Sequence, residues 1–252
     1  MTDLAGKVVL ITGSTRGIGR GIAECMAAVG AKVVVTGRDQ TAANRAAAEL
    51  AATSGADVAG LGAPLTDDEA IDGVIDRAVQ CFGRVDVLVN NAGIDSDCPA
   101  IEHKLEDWQR VMKVNLEVPF RLAQHFACHL VARKSGGVII NVSSIAGFRA
   151  LDEASSYVAS KHGLVGLTKA LALEWGPLNI RVCGVAPGLI KTDLTEYIWS
   201  NEAGANYVNT KIPIRRIGMP NDIGSMAAFL ASDAAGFIHG ETIVVDGGRI
   251  VT

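Results

Sequence analysis

Cysteine is scarce and scattered in this chain. Its five cysteines, Cys25, Cys81, Cys98, Cys128 and Cys183, are an odd number with no Cys-x-x-Cys spacing. Neither a disulfide framework nor a zinc site is indicated, and a reducing cytoplasm fits best. A long apolar run is also missing. The N-terminus leads into a four-residue apolar stretch ending at Thr12, too short for a signal peptide or a membrane span, so the expectation is a soluble, unprocessed protein with no membrane partner. Basic excess is absent as well. With 23 Lys and Arg against 27 Asp and Glu, the formal charge of -4 gives no general electrostatic reason to bind nucleic acid. No internal repeat, low-complexity tract or linker divides the sequence. What is present is 252 residues, 49% hydrophobic, with 28 glycines, which suits one α/β domain over residues 1–252 with a large core.

Short β-branched runs recur at 8–12, 33–36, 87–89, 138–142, 180–185 and 242–245, with a weaker one at 58–61. They alternate with stretches of helical length at 18–29, 41–53, 69–82, 105–132, 156–175 and 222–230. Such alternation implies a doubly wound parallel sheet of about seven strands with helices on both faces. Residues 188–220 read as the one long irregular region. Ligands of such sheets bind beyond the carboxyl ends of the strands, so a substrate lid is expected around 189–212. Leu194, Tyr197, Ile198 and Trp199 within it suit an apolar or cyclic substrate.

Directly after the first strand comes Thr12-Gly13-Ser14-Thr15-Arg16-Gly17-Ile18-Gly19, leading into a helix. Glycines between a strand and a helix let the backbone approach a ligand closely, and the helix N-terminus can hold a pyrophosphate. No Walker lysine is present, which disfavours ATP. At the end of the second strand an acid would bond the ribose of NAD, whereas an arginine would accommodate the 2'-phosphate of NADP. The chain has Gly37 at that place, followed by Arg38, with Arg16 in the glycine loop. The expectation is NADP(H) in preference, with NAD(H) as the other option.

Tyr157 stands four residues before Lys161 on a predicted helix, so the two share a face. Alone, such a pair is more often a packed ring beside a solvated amine. Placed in a cleft, the ammonium would favour phenolate and lower the phenol pKa. Pro119 lacks the N–H that would take up the Asn115 carbonyl within a helix, so that oxygen is expected to be free. His125 and His129 also lie four apart, but no glutamate follows His125 as a zinc-protease helix requires; no metal is expected.

Taken together in this order, the motifs closely resemble the classical short-chain dehydrogenase/reductase family over essentially the whole chain. The resemblance implies a Rossmann-type fold and a cofactor loop at Gly13, Ser14, Thr15, Arg16, Gly17, Ile18 and Gly19. It further implies an adenine-side motif Asn90-Asn91-Ala92-Gly93 and a catalytic tetrad of Asn115, Ser144, Tyr157 and Lys161. Pro187-Gly188, with Ile190 and Thr192 following, resembles the segment that contacts the nicotinamide. Ser144, rather than the adjacent Ser143, has the family's usual distance to Tyr157. One departure stands out. The segment Ala63-Pro64-Leu65-Thr66 lacks the acid with which many relatives bind the adenine amino group, leaving the backbone of Leu65 to reach the base.

By this resemblance Tyr157 is the general acid/base for hydride transfer between the nicotinamide and a ketone or secondary alcohol. Ser144 steadies the carbonyl oxygen, Lys161 also bonds the nicotinamide ribose, and Asn115 holds a relay water. The substrate classes in view are carbonyl compounds, 3-oxoacyl carrier-protein thioesters, and sugars or polyols. Arg121, Arg133 and Lys134 are the candidate docking patch for a carrier protein. Family members are often homotetramers built on the long fourth and fifth helices, a use that Phe120, Leu122, Phe126 and Leu130 permit. Two other classes share the fold: a nucleotide-sensing protein without chemistry, which would lose the acid/base residues, and a dehalogenase-type lyase, which would replace Lys161 by Arg.

Overall fold

A computed structural model describes residues 2–199 and 201–252, with the side chains of Leu194, Tyr197 and Ile198 outside the description. The expected substrate-facing role of those three side chains therefore lies outside the described residues. The Val- and Ile-rich runs form β1 (Val8–Ile11), β2 (Lys32–Gly37), β3 (Val58–Gly62), β4 (Val87–Asn90), β5 (Gly137–Val142), β6 (Ile180–Pro187) and β7 (Thr242–Val245). They pair in the order β3-β2-β1-β4-β5-β6-β7, every neighbour parallel. Burial on both faces explains why these strands read as continuous apolar runs rather than alternating ones.

The helices are α1 (Gly17–Ala28), α2 (Gln40–Ser54), α3 (Asp68–Asp72), α4 (Val74–Phe82), α5 (Leu105–Met112), α6 (Val118–Ala132), α7 (Ser155–Trp175), α8 (Glu196–Trp199), α9 (Glu202–Lys211) and α10 (Pro220–Ala231). Alternate strand residues divide the core. Val9, Ile11, Val33 and Val35 meet Ile22 and Met26 of α1 and Ile223 of α10 on one face. Leu10, Val34 and Leu88 meet Ile75 of α4, Phe126 of α6 and Leu171 of α7 on the other. Each large side chain fully buried here contributes about 1.5–3 kcal/mol relative to exposure. Helices α1 and α10 cross at glycines: a Cβ on Gly21 would stand 2.5 Å from Pro220 Cβ, and one on Gly224 2.4 Å from the Gly21 carbonyl.

Three expectations are corrected. The stretch 105–132 is α5 and α6 separated by a π-helical turn, Lys113–Glu117, in which the Val118 N–H donates to the Lys113 carbonyl. Pro119 cannot supply the i+4 donor to Asn115, and the chain passes the gap in i→i+5 register. The stretch 69–82 breaks at Gly73, which ends α3 and caps α4. Residues 188–220 are not irregular, because they contain α8, α9 and a 3-10 turn at Asp193–Thr195.

Candidate active site

Strand order reverses between β1 and β4, and the crevice there opens at the carboxyl ends of the strands. Gly13 and Gly17 adopt φ of +61° and +58°, the left-handed region that favours glycine. At Gly19 a Cβ would lie 2.4 Å from the Gly13 carbonyl and 2.5 Å from Asn91 Nδ2. The loop is thus an open cradle facing the first turn of α1, and its shape and free N–H groups fit a dinucleotide pyrophosphate. Ser14 is used within the loop: its buried hydroxyl donates to the Ile11 carbonyl at 2.8 Å and accepts the Thr36 N–H at 2.9 Å. Ile18 packs against the core.

Thr12 and Asn91 lie in the quoted motifs but were given no role of their own, yet they hold the cradle. Thr12 Oγ1 accepts the N–H groups of Asn91 (2.9 Å) and Ala92 (3.0 Å), and Asn91 Nδ2 donates to the carbonyls of Thr12 (2.8 Å) and Gly13 (3.0 Å). Asn90, expected at the cofactor, turns its amide into the protein. It donates to Asn141 Oδ1 at 2.9 Å and to the Pro119 carbonyl at 3.3 Å, and Asn141 in turn donates to Thr168 on α7 at 2.9 Å. The doubled asparagine after a strand was the available signal, since one side chain must face each way.

At the ribose end Gly37 is sterically required, because a Cβ there would stand 2.8 Å from the Thr15 methyl. Arg38 beside it is exposed and, among the described residues, has no hydrogen-bond or ion-pair partner. Arg16 instead reaches across the crevice to Asp193 at 3.1 Å, both side chains well exposed, an ion pair worth at most about 1 kcal/mol. No acid near 63–66 replaces the missing adenine contact. Asp67 caps the Ala70 N–H at 3.1 Å, and Asp68 binds Arg121 and Lys113, whose cations hold its carboxyl below the ordinary range. Leu65 is half-buried against the core.

The four expected catalytic residues come together. Ser144 caps the turn Ile145–Gly147, accepting the Ala146 N–H at 3.1 Å, and its hydroxyl lies near enough to the Tyr157 phenol to favour the phenolate. Lys161, buried, donates to the Val142 carbonyl at 3.1 Å and places Nζ 5.5 Å from the Tyr157 ring centre. Ser143 donates to the Lys161 carbonyl at 3.1 Å and so fixes α7 on β5. Asn115, fully buried in the π turn, accepts the Ile94 N–H at 2.9 Å and donates to the Ile94 carbonyl at 2.8 Å and Ser160 at 3.1 Å. Gly93 is wedged between: a Cβ would meet Asn115 Oδ1 at 3.3 Å and Lys161 Nζ at 3.5 Å.

The electrostatics differ from the sequence expectation. Burial pushes the Tyr157 phenol up to about 12 against the opposing Ser144 hydroxyl, and burial pulls the Lys161 ammonium down to about 8. Desolvation penalises both charged forms and is the largest influence on each. The phenol is therefore a standing proton donor at neutral pH.

The segment after β6 is stitched at its base. Lys191 N–H donates to the Gly218 carbonyl at 2.8 Å and Gly218 N–H to the Leu189 carbonyl at 3.0 Å, with Ile190 buried between them. Gly188 packs on Asp246, where a Cβ would stand 2.6 Å from Asp246 Cβ, and its N–H, next after Pro187, donates to Val245 at 3.1 Å. The Thr192 methyl comes within 3.4 Å of a Cβ on Gly17, so this segment closes over the glycine loop. Trp199 donates to the Thr192 carbonyl at 3.3 Å and carries Lys191 over its ring.

The remaining candidates separate. His125 faces the Asp72 carbonyl, and His129 faces Arg133. Arg121 is paired with Asp68, Asp72 and Glu117, and Arg133 is turned toward Val85 and Asp86, which removes two of three charges from the expected docking patch. Leu122, Phe126 and Leu130 belong to the core, and only Phe120 of that set is exposed.

A strand–glycine–helix cradle beside Tyr157 and a buried Ser, Lys and Asn defines a nicotinamide-dependent oxidoreductase. The chain belongs to the classical short-chain dehydrogenase/reductase family, and the family model that matches residues 13–249 is described as Enoyl-(Acyl carrier protein) reductase. It is 40% identical over 245 residues to the 3-oxoacyl-[acyl-carrier-protein] reductase FabG of Aquifex aeolicus, covering 97% of this chain and 98% of that one. It is 37% identical to the D-threitol dehydrogenase of Mycolicibacterium smegmatis, covering 98% and 94%. A solved chain from Agrobacterium tumefaciens with bound NADP superposes with a TM-score of 0.92 at 36% identity, covering 100% and 99%. The protein is an oxidoreductase acting on CH–OH and C=O groups.

Proposed function

We propose that this chain is an NADP(H)-dependent carbonyl reductase or secondary alcohol dehydrogenase in which Tyr157 is the general acid/base. The observation that carries this reading is Tyr157 placed next to the Ser144 hydroxyl, with the buried Lys161 Nζ 5.5 Å from its ring centre. When bound, the nicotinamide supplies the hydride donor or acceptor. Tyr157 protonates the oxygen of the reduced substrate, with its burial keeping the proton available at neutral pH. Ser144 stabilises the developing oxyanion by a hydrogen bond. Lys161 holds the ribose and recharges the phenol. Asn115, clamped on Ile94, holds the water that returns the proton. The glycine cradle with Thr15, Ile18, Ala92 and Gly93 takes the pyrophosphate and ribose, Leu65 the adenine, and Pro187, Gly188, Ile190 and Thr192 the nicotinamide side, under a lid at 189–212.

Arg38, unpaired beside Gly37, supports NADP(H) over NAD(H), with Arg16 joining once released from Asp193. A charge-assisted hydrogen bond is worth about 1.5–3 kcal/mol, on the order of 10- to 100-fold in binding. Arg38→Ala is therefore expected to raise KM for NADPH by roughly tenfold or more while changing KM for NADH less than about twofold. Steady-state kinetics with both cofactors checks this, and an equal loss for both would refute the 2'-phosphate assignment.

The same reading includes a homotetramer in a reducing cytoplasm. Its support is an open apolar groove of about 880 Å³, away from the tetrad, lined by Trp108, Met112, Leu116, Phe120, Gly163 and Leu167 of α5, the π turn, α6 and α7. Phe120→Asp is expected to shift the protein from tetramer toward dimer or monomer by light scattering, and an unchanged mass would remove this face from the assembly. Among the described residues no helix is long and apolar enough to cross a membrane.

A further inference from the structure

One carboxylate in the cleft has no part in the acid/base machinery. Asn115 grips both the N–H and the carbonyl of Ile94, at 2.9 and 2.8 Å, and Gly93 is fixed against Lys161, so the next side chain, Asp95, springs from a rigid point beside the tetrad. The far end of its loop is tied down as well, the Cys98 N–H donating to the Glu153 carbonyl at 2.7 Å. Asp95 is half-buried. Its Oδ1 accepts the Ser96 N–H at 2.7 Å, and among the described residues it has no ion-pair partner and no bond to its second oxygen. Its charge is felt by both Tyr157 and Lys161, while the nearby Asp97 adds a second negative charge rather than a compensating one. A half-buried carboxylate with an open lone-pair oxygen is a hydrogen-bond acceptor awaiting a donor.

We propose that Asp95 is the substrate-recognition residue of this cleft, accepting a hydrogen bond from a hydroxyl group adjacent to the reacting carbon, so that the substrate is an uncharged vicinal diol or the corresponding α-hydroxy ketone. The proposal rests on the reading of Tyr157 as the acid/base. In the oxidative direction the carbinol C–H passes as hydride to the oxidised nicotinamide and the carbinol O–H proton to the Tyr157 oxygen; the products are the hydroxy ketone, the reduced cofactor and one proton, and Asp95 is unchanged. A substrate carrying its own carboxylate or phosphate next to the reacting carbon meets a like charge in a poorly solvated cleft and is rejected.

The test uses three alcohols as probes: 1,2-cyclohexanediol, cyclohexanol and gluconate. They are oxidised with NADP by the intact protein, by Asp95→Asn and by Asp95→Lys, with kcat and KM measured for each. Using ratios between probes cancels any general effect of the lost charge on Tyr157. The expected result is a diol-to-cyclohexanol ratio of kcat/KM of at least tenfold in the wild type, falling about tenfold in Asp95→Asn mainly through KM, and a gluconate-to-diol ratio that rises at least tenfold in Asp95→Lys. Ratios unchanged in both variants, with turnover retained, would overturn the role of Asp95 alone. Binding of NADPH without oxidation of any probe by the wild type would overturn the Tyr157 reading, and this proposal with it.

Discussion

Tyr157→Phe is expected to lower turnover by about 10²- to 10⁴-fold, the usual contribution of a positioned general acid/base, while NADPH binding changes less than about threefold. In free energy that is about 2.7–5.4 kcal/mol of lost transition-state stabilisation, at roughly 1.4 kcal/mol per tenfold. The separation follows from geometry: the ring stays packed on α7, and the glycine cradle is built from other residues. Fluorescence titration with NADPH beside kcat for a reducible ketone checks both halves. Turnover within tenfold of wild type would mean that another group supplies the proton. The pH profile adds a signature. With the phenol raised to about 12 and the ammonium lowered to about 8, reduction uses the protonated phenol and a charged lysine. Its kcat/KM is expected to be level below about pH 8 and to fall above it as Lys161 loses its proton. Oxidation needs the Tyr157 phenolate as its base, so its kcat/KM rises toward alkaline pH. Stability has its own sign: between pH 10 and 12 the folded protein keeps a phenol proton that the unfolded chain releases, so folding stability falls with pH in that window. The Phe variant lacks this loss.

The sheet was legible because its strands are buried on both faces and so appear as uninterrupted Val and Ile runs, and all seven of the expected strands are present. The tetrad was expected for a different reason: Asn115, Ser144, Tyr157 and Lys161 stand at the spacings of the family's motif, and the fold brings the four residues together. Helix interruptions were harder. Pro119 announced a missing donor, but whether the chain would kink or pass into π register depended on the packing of Asn115 against Ile94, which is 21 residues away in sequence. The helices of 188–220 escaped because α8 and α9 are short and weakly patterned, with Thr192 capping the 3-10 turn that leads into α8 and Asn201 capping α9. Asp95 was invisible for the same reason that it matters. Its importance lies in a partner it does not have, and an unpaired oxygen leaves no periodicity or spacing in a sequence. The direction for Tyr157 was misjudged because charge proximity can be guessed from i, i+4 spacing, whereas the dryness around the phenol is a property of the assembled fold.

Gly19→Ala is the smallest substitution expected to disable the cofactor site. Its added methyl would arrive 2.4 Å from the Gly13 carbonyl, 2.5 Å from Asn91 Nδ2 and 2.8 Å from Ser14 Cα. Two of these three are backbone, so swinging the Asn91 amide aside gives no relief, and the Gly13–Ser14 peptide must itself move. That peptide is held from the other side, because the Gly13 N–H donates to Thr36 Oγ1 at 3.0 Å and Ser14 Oγ bonds the Ile11 carbonyl and Thr36 N–H. Displacing it breaks the tie between β1 and β2 and closes the cradle in which the pyrophosphate sits. Overpacking of this kind costs about 1–3 kcal/mol of stability, and the same displacement is expected to weaken NADPH binding by at least tenfold. Thermal unfolding and fluorescence titration separate the two effects: a variant that remains cooperatively folded at 25 °C but binds NADPH as tightly as wild type would show that the glycine serves helix packing alone. A cooperative melt lowered by several degrees, together with lost binding in the folded protein, ties the glycine spacing directly to the ligand. The reason is that the substitution itself removes no hydrogen-bonding group and no charge; what it takes away is the close approach of the backbone.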